Sequence, residues 1–205
     1  MGRPREYDER AASDLLQAAE RIVAEEGLDG LSVRRLASEA GCTTRAVYSL
    51  YGSKDGLVVA LGAHAFHLLR EALEALPATS DPVGDVVEAG VRVFRRFALD
   101  HPALLRIGFL QTGMAPDLAC QFRDAGSLAL DVLKARIARL GDSGQLGSRN
   151  VADATCEFHA LCEGLAALES RRALLPGNAE RIWRDALRAL VSGWGAAPVH
   201  AGVMP

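Results

Sequence analysis

The chain lacks almost everything that marks an enzyme. No glycine-rich phosphate loop follows a strand pattern, no nucleophile elbow occurs, and no pair of carboxylates has a spacing that implies a reaction, so no catalytic residue is assigned. Strand-type alternation and internal repeats are absent as well. No apolar run is long enough to cross a bilayer, and the opening MGRPREYDER is charged and lacks the apolar stretch of an export signal. The expectation is a cytoplasmic protein with no membrane partner. The four cysteines, Cys42, Cys120, Cys156 and Cys162, do not have the spacing of a secreted disulfide framework and read as reduced, small hydrophobes. An excess of basic charge is missing too: the net charge is −3, which taken as a sum argues against a nucleic-acid partner.

What is present is enough to bury a core. Of 205 residues, 49% are hydrophobic and 24% charged, which suits one or two globular domains with loose ends. Charge is unevenly placed, and placement matters more than the sum. Acidic residues crowd Glu6 to Asp29, while Ser32 to Lys54 carries Arg34, Arg35, Arg45 and Lys54 against Glu39 alone.

That basic segment is also the most patterned. Val33, Leu36, Ala37 and Ala40 recur at i, i+3, i+4 and i+7, which buries one stripe of a short helix and leaves Arg34, Arg35, Ser38 and Glu39 outside. Gly41 stops that helix in a conformation open to positive φ, and the Thr43 hydroxyl caps the next one. On the second helix Thr44, Arg45, Tyr48 and Ser49 share one arc, while Ala46, Val47 and Leu50 face the core. Two short helices joined by a glycine turn form a helix-turn-helix. A guanidinium fork, a phenol and hydroxyls on the outer arc suit base edges and phosphates in a DNA major groove. Lys54, just after the N-cap Ser53, opposes the helix dipole unless a DNA phosphate joins it. Arg3 and Arg5 precede the first helix and can follow the backbone or enter the minor groove. An untethered tail explains those two equally well.

These residues resemble the N-terminal domain of the TetR family of bacterial transcriptional regulators. The resemblance runs from Leu15 to Leu57, through LLQAAERIVAEEG, LSVRRLASEAGC and TTRAVYSLYGSKDGL, with Tyr48, Tyr51, Lys54 and Leu57 on the family's closing positions. It implies DNA contact by Arg3, Arg5, Ser32, Arg34, Thr43, Thr44, Arg45, Tyr48, Ser49, Tyr51 and Lys54. Arg45 stands where many members carry glycine or another small residue, which makes it the source of this chain's own sequence preference. The resemblance further implies an all-α protein of about nine helices. Residues 1–60 would form the DNA-binding domain and 61–205 a helical domain for ligand binding and dimerisation. The partners implied are double-stranded DNA bearing a palindromic operator, a small effector, and a second copy of the chain. A repressor is the usual mode.

Beyond Leu57 the composition stays helical. A fourth helix continues to about Leu76, and PATSDPVG from Pro77 to Gly84 reads as a linker. A broadly apolar fifth helix follows, its polar stripe being Asp85, Glu88, Arg92, Arg95 and Arg96. A helix from Ala103, a long one ending near Leu140, a loop from Gly141 to Asn150, and two more helices over Val151 to Ser170 and Asn178 to Trp194 complete the chain. On the last pair, Trp183, Leu187, Leu190, Val191 and Trp194 make one apolar face. Cys162, Leu165 and Ala166 lie on the other helix, where Gly164, Ala166 and Ala167 also allow close approach. By the resemblance this is a dimer seam, although an intrachain core has the same periodicity. Candidates for an effector site are Phe66, Phe94, Phe97, Leu105, Phe109, Met114, Phe122, Phe158 and His159, a set suited to an apolar or aromatic molecule with few polar handles. Core packing explains each of them as well.

Cys156, His159 and Cys162 recur every three residues, ligand types that a metal or redox sensor uses. Steps of three drift around a helix and spread the three over about 120°, so no metal and no cofactor is assigned. The competing reading is a small helical binding module or enzyme that leaves DNA alone. Salt-dependent binding to a palindrome separates the two.

Overall fold

The structure is a computed structural model. It describes residues 3–109, 116–174 and 177–196, with the side chains of 3–10, 109, 116–119, 121 and 196 left aside. Met114 and the segment 197–205 lie outside the described residues, as do the side chains of Arg3, Arg5 and Phe109.

Every regular element among the described residues is helical. In chain order they are α1 (Arg3–Gly30), α2 (Val33–Glu39), α3 (Thr44–Tyr51), α4 (Lys54–Ala75), α5 (82–100), α6 (Pro102–Phe109), α7 (Pro116–Asp142), α8 (Val151–Ser170) and α9 (Ala179–Ala196). The nine expected helices are therefore found. The chain divides into two compact units, 1–67 with 101–126 and 68–100 with 127–205, and both α4 and α7 begin in the first and end in the second.

In the first unit, α1 buries Leu15, Ala18, Ala19, Ile22 and Val23, one stripe at helical spacing. The helix breaks at Gly27, whose φ of 74° and ψ of −176° leave the helical region before a last turn to Gly30. α1 packs on α2 and α6. Ala103, Leu104 and Ile107 of α6 are buried, and the His101 Nδ1 ahead of them lies 2.7 Å from Glu20 Oε1 on α1. Further along, α4 meets α7 through an exchange of rings and glycines. A Cβ on Gly62 would overlap the Phe122 ring, and one on Gly126 would come within 3.3 Å of the Phe66 ring.

In the second unit, α5 has three parts: α-helical Pro82–Glu88, a π-helical stretch Ala89–Phe94, and α-helical Arg95–Asp100. It begins earlier than composition suggests. Asp81 caps it by accepting from Gly84 N at 2.9 Å, and Pro82 takes a first-turn position where no donor is needed, so 82–84 are helix and not linker. Inside the π stretch, Gly90 leaves room for Leu187, Phe158 and Cys162, which a Cβ would meet. α9 packs on α5 and α8, and the core combines Val86, Val91 and Phe97 with Phe158, Trp183 and Leu187.

By length and composition alone α4 is long and apolar enough to cross a membrane, which corrects the expectation that no such run exists. Half of its apolar window is buried within the protein, including Leu57, Leu61, Ala65 and Leu69.

Candidate nucleic-acid interface

The helix-turn-helix forms on the local chemistry expected of it. Ser32 caps α2 by accepting from Arg35 N at 3.2 Å, and Val33, Leu36 and Ala37 are buried beneath an exposed Arg34. Gly41 closes the turn at φ 64°, in the left-handed region that a side chain would strain. Thr43 then caps α3, its hydroxyl accepting from Ala46 N at 3.2 Å.

On α3, Thr44, Arg45, Tyr48 and Ser49 are all exposed, Tyr48 by 54%, and Val47 is buried opposite them. One expectation fails. Leu50 is 41% exposed and does not belong to the packed side. At about 100° per residue Tyr51 lies about 40° to one side of Val47 and Leu50 about 60° to the other, and it is Tyr51 that turns inward. The Tyr51 hydroxyl donates to Ala12 O on α1 at 3.0 Å, and burial raises its pKa to about 12. The phenol is thus committed to α1 rather than standing clear on the surface.

Lys54 is exposed at the start of α4, after the cap formed by Ser53 on Gly56 N at 3.0 Å. Its Nζ donates to Leu28 O at 3.1 Å, beyond the Gly27 break in α1. An ammonium has three donors, so this contact holds the side chain in place and leaves capacity for an anion. Arg35 pairs with Glu26 of α1 at 2.8 Å, with both side chains 42% exposed. Tyr51, Lys54 and Arg35 therefore fasten α3, α4 and α2 to α1. None of these three attachments is legible in helical periodicity, because each partner lies on a separate helix.

The candidate effector residues fall into two groups. In the first unit Phe66 and Phe122 meet edge to face with centroids 5.2 Å apart, and Leu105 is buried. In the second unit Phe94 meets His159 edge to face at 5.6 Å and Trp183 at 6.4 Å, with Phe97 and Phe158 buried. His159 Nε2 lies 3.4 Å from Glu163 Oε1 on the same helix. Burial lowers the pKa of His159 and raises that of Glu163, so each is pushed toward its neutral form. Among the described residues no cluster of metal-ligating side chains occurs.

The face assigned from sequence to a dimer seam is already covered inside one chain. Cys162, Leu165, Ala166, Trp183, Leu187, Val191 and Trp194 are all buried, and Leu190 is half-buried. The reason is polar as much as apolar. Trp183 Nε1 donates to Glu169 at 2.8 Å and Trp194 Nε1 to Glu157 at 2.6 Å, so α8 satisfies both indoles of α9. Glu169 also receives Arg95 through Nε and Nη2, at 3.1 and 2.9 Å. What α8 leaves open is its other side, where Ala152, Cys156, Ala160, Gly164 and Leu168 recur every four residues and are all exposed.

Two family models match the chain. That of bacterial regulatory proteins, tetR family, covers residues 15–61, and that of the tetracyclin repressor-like C-terminal domain covers residues 87–190. No curated protein matches the sequence. Among solved structures, a protein of unknown function from Rhodococcus sp. RHA1 is 26% identical with a TM-score of 0.76, over 89% of this chain and 94% of that one. The transcriptional regulator FadR from Bacillus subtilis, solved in complex with stearoyl-CoA, is 17% identical with a TM-score of 0.75, over 88% and 98%. The TetR family transcriptional regulator PfmR from Thermus thermophilus is 21% identical with a TM-score of 0.65, over 86% and 93%.

Proposed function

Because the chain belongs to the tetR family of bacterial regulatory proteins and is a DNA-binding transcriptional regulator, we propose that it acts as a repressor: a homodimer that reads a palindromic operator and changes its DNA affinity on binding a small, largely apolar molecule. The observation that carries the DNA reading is the outer arc of α3, where Arg45, Tyr48, Thr44 and Ser49 stand exposed on a helix capped by Thr43 and seated by Val47. Arg45 and Tyr48 read base edges. Ser32, Arg34, Thr43 and Lys54 meet phosphates, and Arg3 and Arg5 extend the contact. Tyr51 serves by holding α3 to α1. In this division of labour 1–60 is the reading head and 61–205 senses and dimerises.

A single recognition helix reads few base pairs, so selectivity asks for two heads held about 34–36 Å apart, or a multiple of that. The exposed, small-residue side of α8 supports a two-fold contact, since Ala152, Ala160 and Gly164 allow backbones to approach closely. An apolar effector is supported by the aromatic pairs Phe66–Phe122 and Phe94–His159. The test is binding of the full chain to DNA of random sequence across a salt series. A specific complex whose affinity falls steeply with salt is expected. No preference for any sequence would overturn the proposal.

A further inference from the structure

The last turn of α4 contains Glu74 and no basic residue, so its own sequence does nothing to complement the free carbonyls and partial negative charge of a helix C-terminus. The complement comes from α7. Arg136 Nη2 donates to Leu73 O at 2.6 Å and to Leu76 O at 2.5 Å. One turn along, Arg139 grips the next stretch, its Nη2 donating to Thr79 O at 2.5 Å and its Nη1 to Asp85 Oδ2 at 2.6 Å. All of these groups lie within the second unit.

The two arginines differ in how well they are matched. Asp85 is buried, and it accepts from Thr79 N at 2.8 Å and Thr79 Oγ1 at 2.7 Å as well as from Arg139. Burial on its own would raise the pKa of this carboxyl, but the bonds from Thr79 and Arg139 prevail and hold it below the ordinary value. Both Asp85 oxygens are engaged, and Arg136 receives neither. Arg136 Nε and Nη1 are buried with no hydrogen-bond partner, so this guanidinium is held by two carbonyls and by the nearby Asp85 charge, with no carboxylate hydrogen bond of its own. The half-buried Arg136 has two of its nitrogens out of water without replacement bonds, so less holds it in place than holds Arg139, which has a carboxylate partner as well as a carbonyl. The set formed by Arg139, Asp85 and Thr79 is complete and gains nothing by opening.

We infer that Arg136 and Arg139 form a two-point clamp on the C-terminal end of α4, with Arg139 as the fixed point and Arg136 as the releasable one. Through it the unit holding the end of α7 sets where the end of α4 lies. Both are positioning residues, and the inference rests on the proposed reading in that α4 continues from the DNA-reading unit into the unit that holds the clamp.

Three variants of the full chain test this: Arg136→Met, Arg136→Lys and Arg139→Met. They are compared with the wild type by hydrogen exchange, thermal unfolding, and affinity for the operator that the wild type selects. In Arg136→Met, exchange over the last two turns of α4 rises about tenfold or more while Tm stays close to wild type. Operator affinity falls at least about fivefold, the low end of ordinary coupling. Arg136→Lys, which keeps a donor, falls between. Arg139→Met lowers Tm and raises exchange from 76 into the first turns of α5. Unchanged exchange at the end of α4 in Arg136→Met overturns the clamp. So does operator affinity that stays constant while exchange rises, or a fall in Tm as large as that of Arg139→Met. If the wild type selects no DNA, the proposed function fails, and the exchange measurement alone then decides the clamp.

Discussion

In the unit made of 1–67 and 101–126, helices start on side chains next door: Ser32, Thr43 and Ser53 each accept from a backbone amide three residues on. In the unit made of 68–100 and 127–205 the decisive polar contacts reach across the chain. Arg139 finds Asp85 54 residues away, Arg95 finds Glu169 at 74, and Arg184 finds Glu88 at 96. The first unit keeps Thr44, Arg45, Tyr48 and Ser49 on one exposed helix arc and ties α2, α3 and α4 to α1 through Arg35, Tyr51 and Lys54. The second joins its helices through ion pairs more distant in sequence. A reading head can therefore be recognised from a short motif, whereas the sensing half is defined by pairs that no local pattern announces.

The largest effect should come from breaking the second unit at Glu169. This carboxylate, only 14% exposed, takes both Arg95 and the Trp183 indole. Glu169→Ala strands the Trp183 N–H and leaves the Arg95 guanidinium only its longer contact to Glu180 at 3.4 Å, and about 3 kcal/mol of stability should be lost in urea denaturation. Glu169→Gln, which keeps an acceptor for Trp183, should lose clearly less. Equal losses in the two variants would show that the bond to the Trp183 indole adds nothing to what the carboxylate charge supplies between α5, α8 and α9.

Asp85 tests the same unit through pH. Its pKa is lowered on folding, so the stabilisation it gives is present above the unfolded carboxyl value of about 4 and is lost as pH falls through the folded one. Asp85→Asn should cost about 2–3 kcal/mol at neutral pH and should flatten that part of the acid limb. An acid limb identical to wild type would remove Asp85 from the account.

Effects on the reading head should leave folding alone. Arg45→Ala should weaken the cognate site by about 1–3 kcal/mol and relax preference at one or two base positions, with urea stability unchanged. Equal weakening on every sequence would make Arg45 a phosphate contact instead. Lys54→Ala should show the smallest change, a loss nearly uniform over sequences and a salt slope shallower by about 1. An unchanged slope would leave Lys54 only its bond to Leu28 O.

Much of the first unit was legible because its signals are local. The buried stripe Val33, Leu36 and Ala37, the turn at Gly41 and the cap at Thr43 all follow from residues within a few positions of one another. Leu50 departs from the expected packed face because periodicity gives relative angles but not the direction of the core, and Tyr51 with its bond to Ala12 sets that direction. In the second unit, the periodicity of Trp183, Leu187, Val191 and Trp194 shows that the face is buried and not against what. Glu157 and Glu169 settle it by satisfying the indoles within the chain. Asp85 looks like one member of a polar stripe on α5, and its burial depends on Thr79 and Arg139 on other segments. The start of α5 is legible in Asp81 before Pro82, a cap followed by a first-turn proline.

Selection of bound DNA from a random pool by the full-length chain tests the central claim most directly, because one result reports both the reading helix and the pairing of two copies. The account predicts enrichment of a palindrome with half-sites about one helical turn apart or a multiple of it, lost in part at one or two positions with Arg45→Ala. Recovery of a pool with no shared sequence, or of a single unpaired half-site, would contradict it.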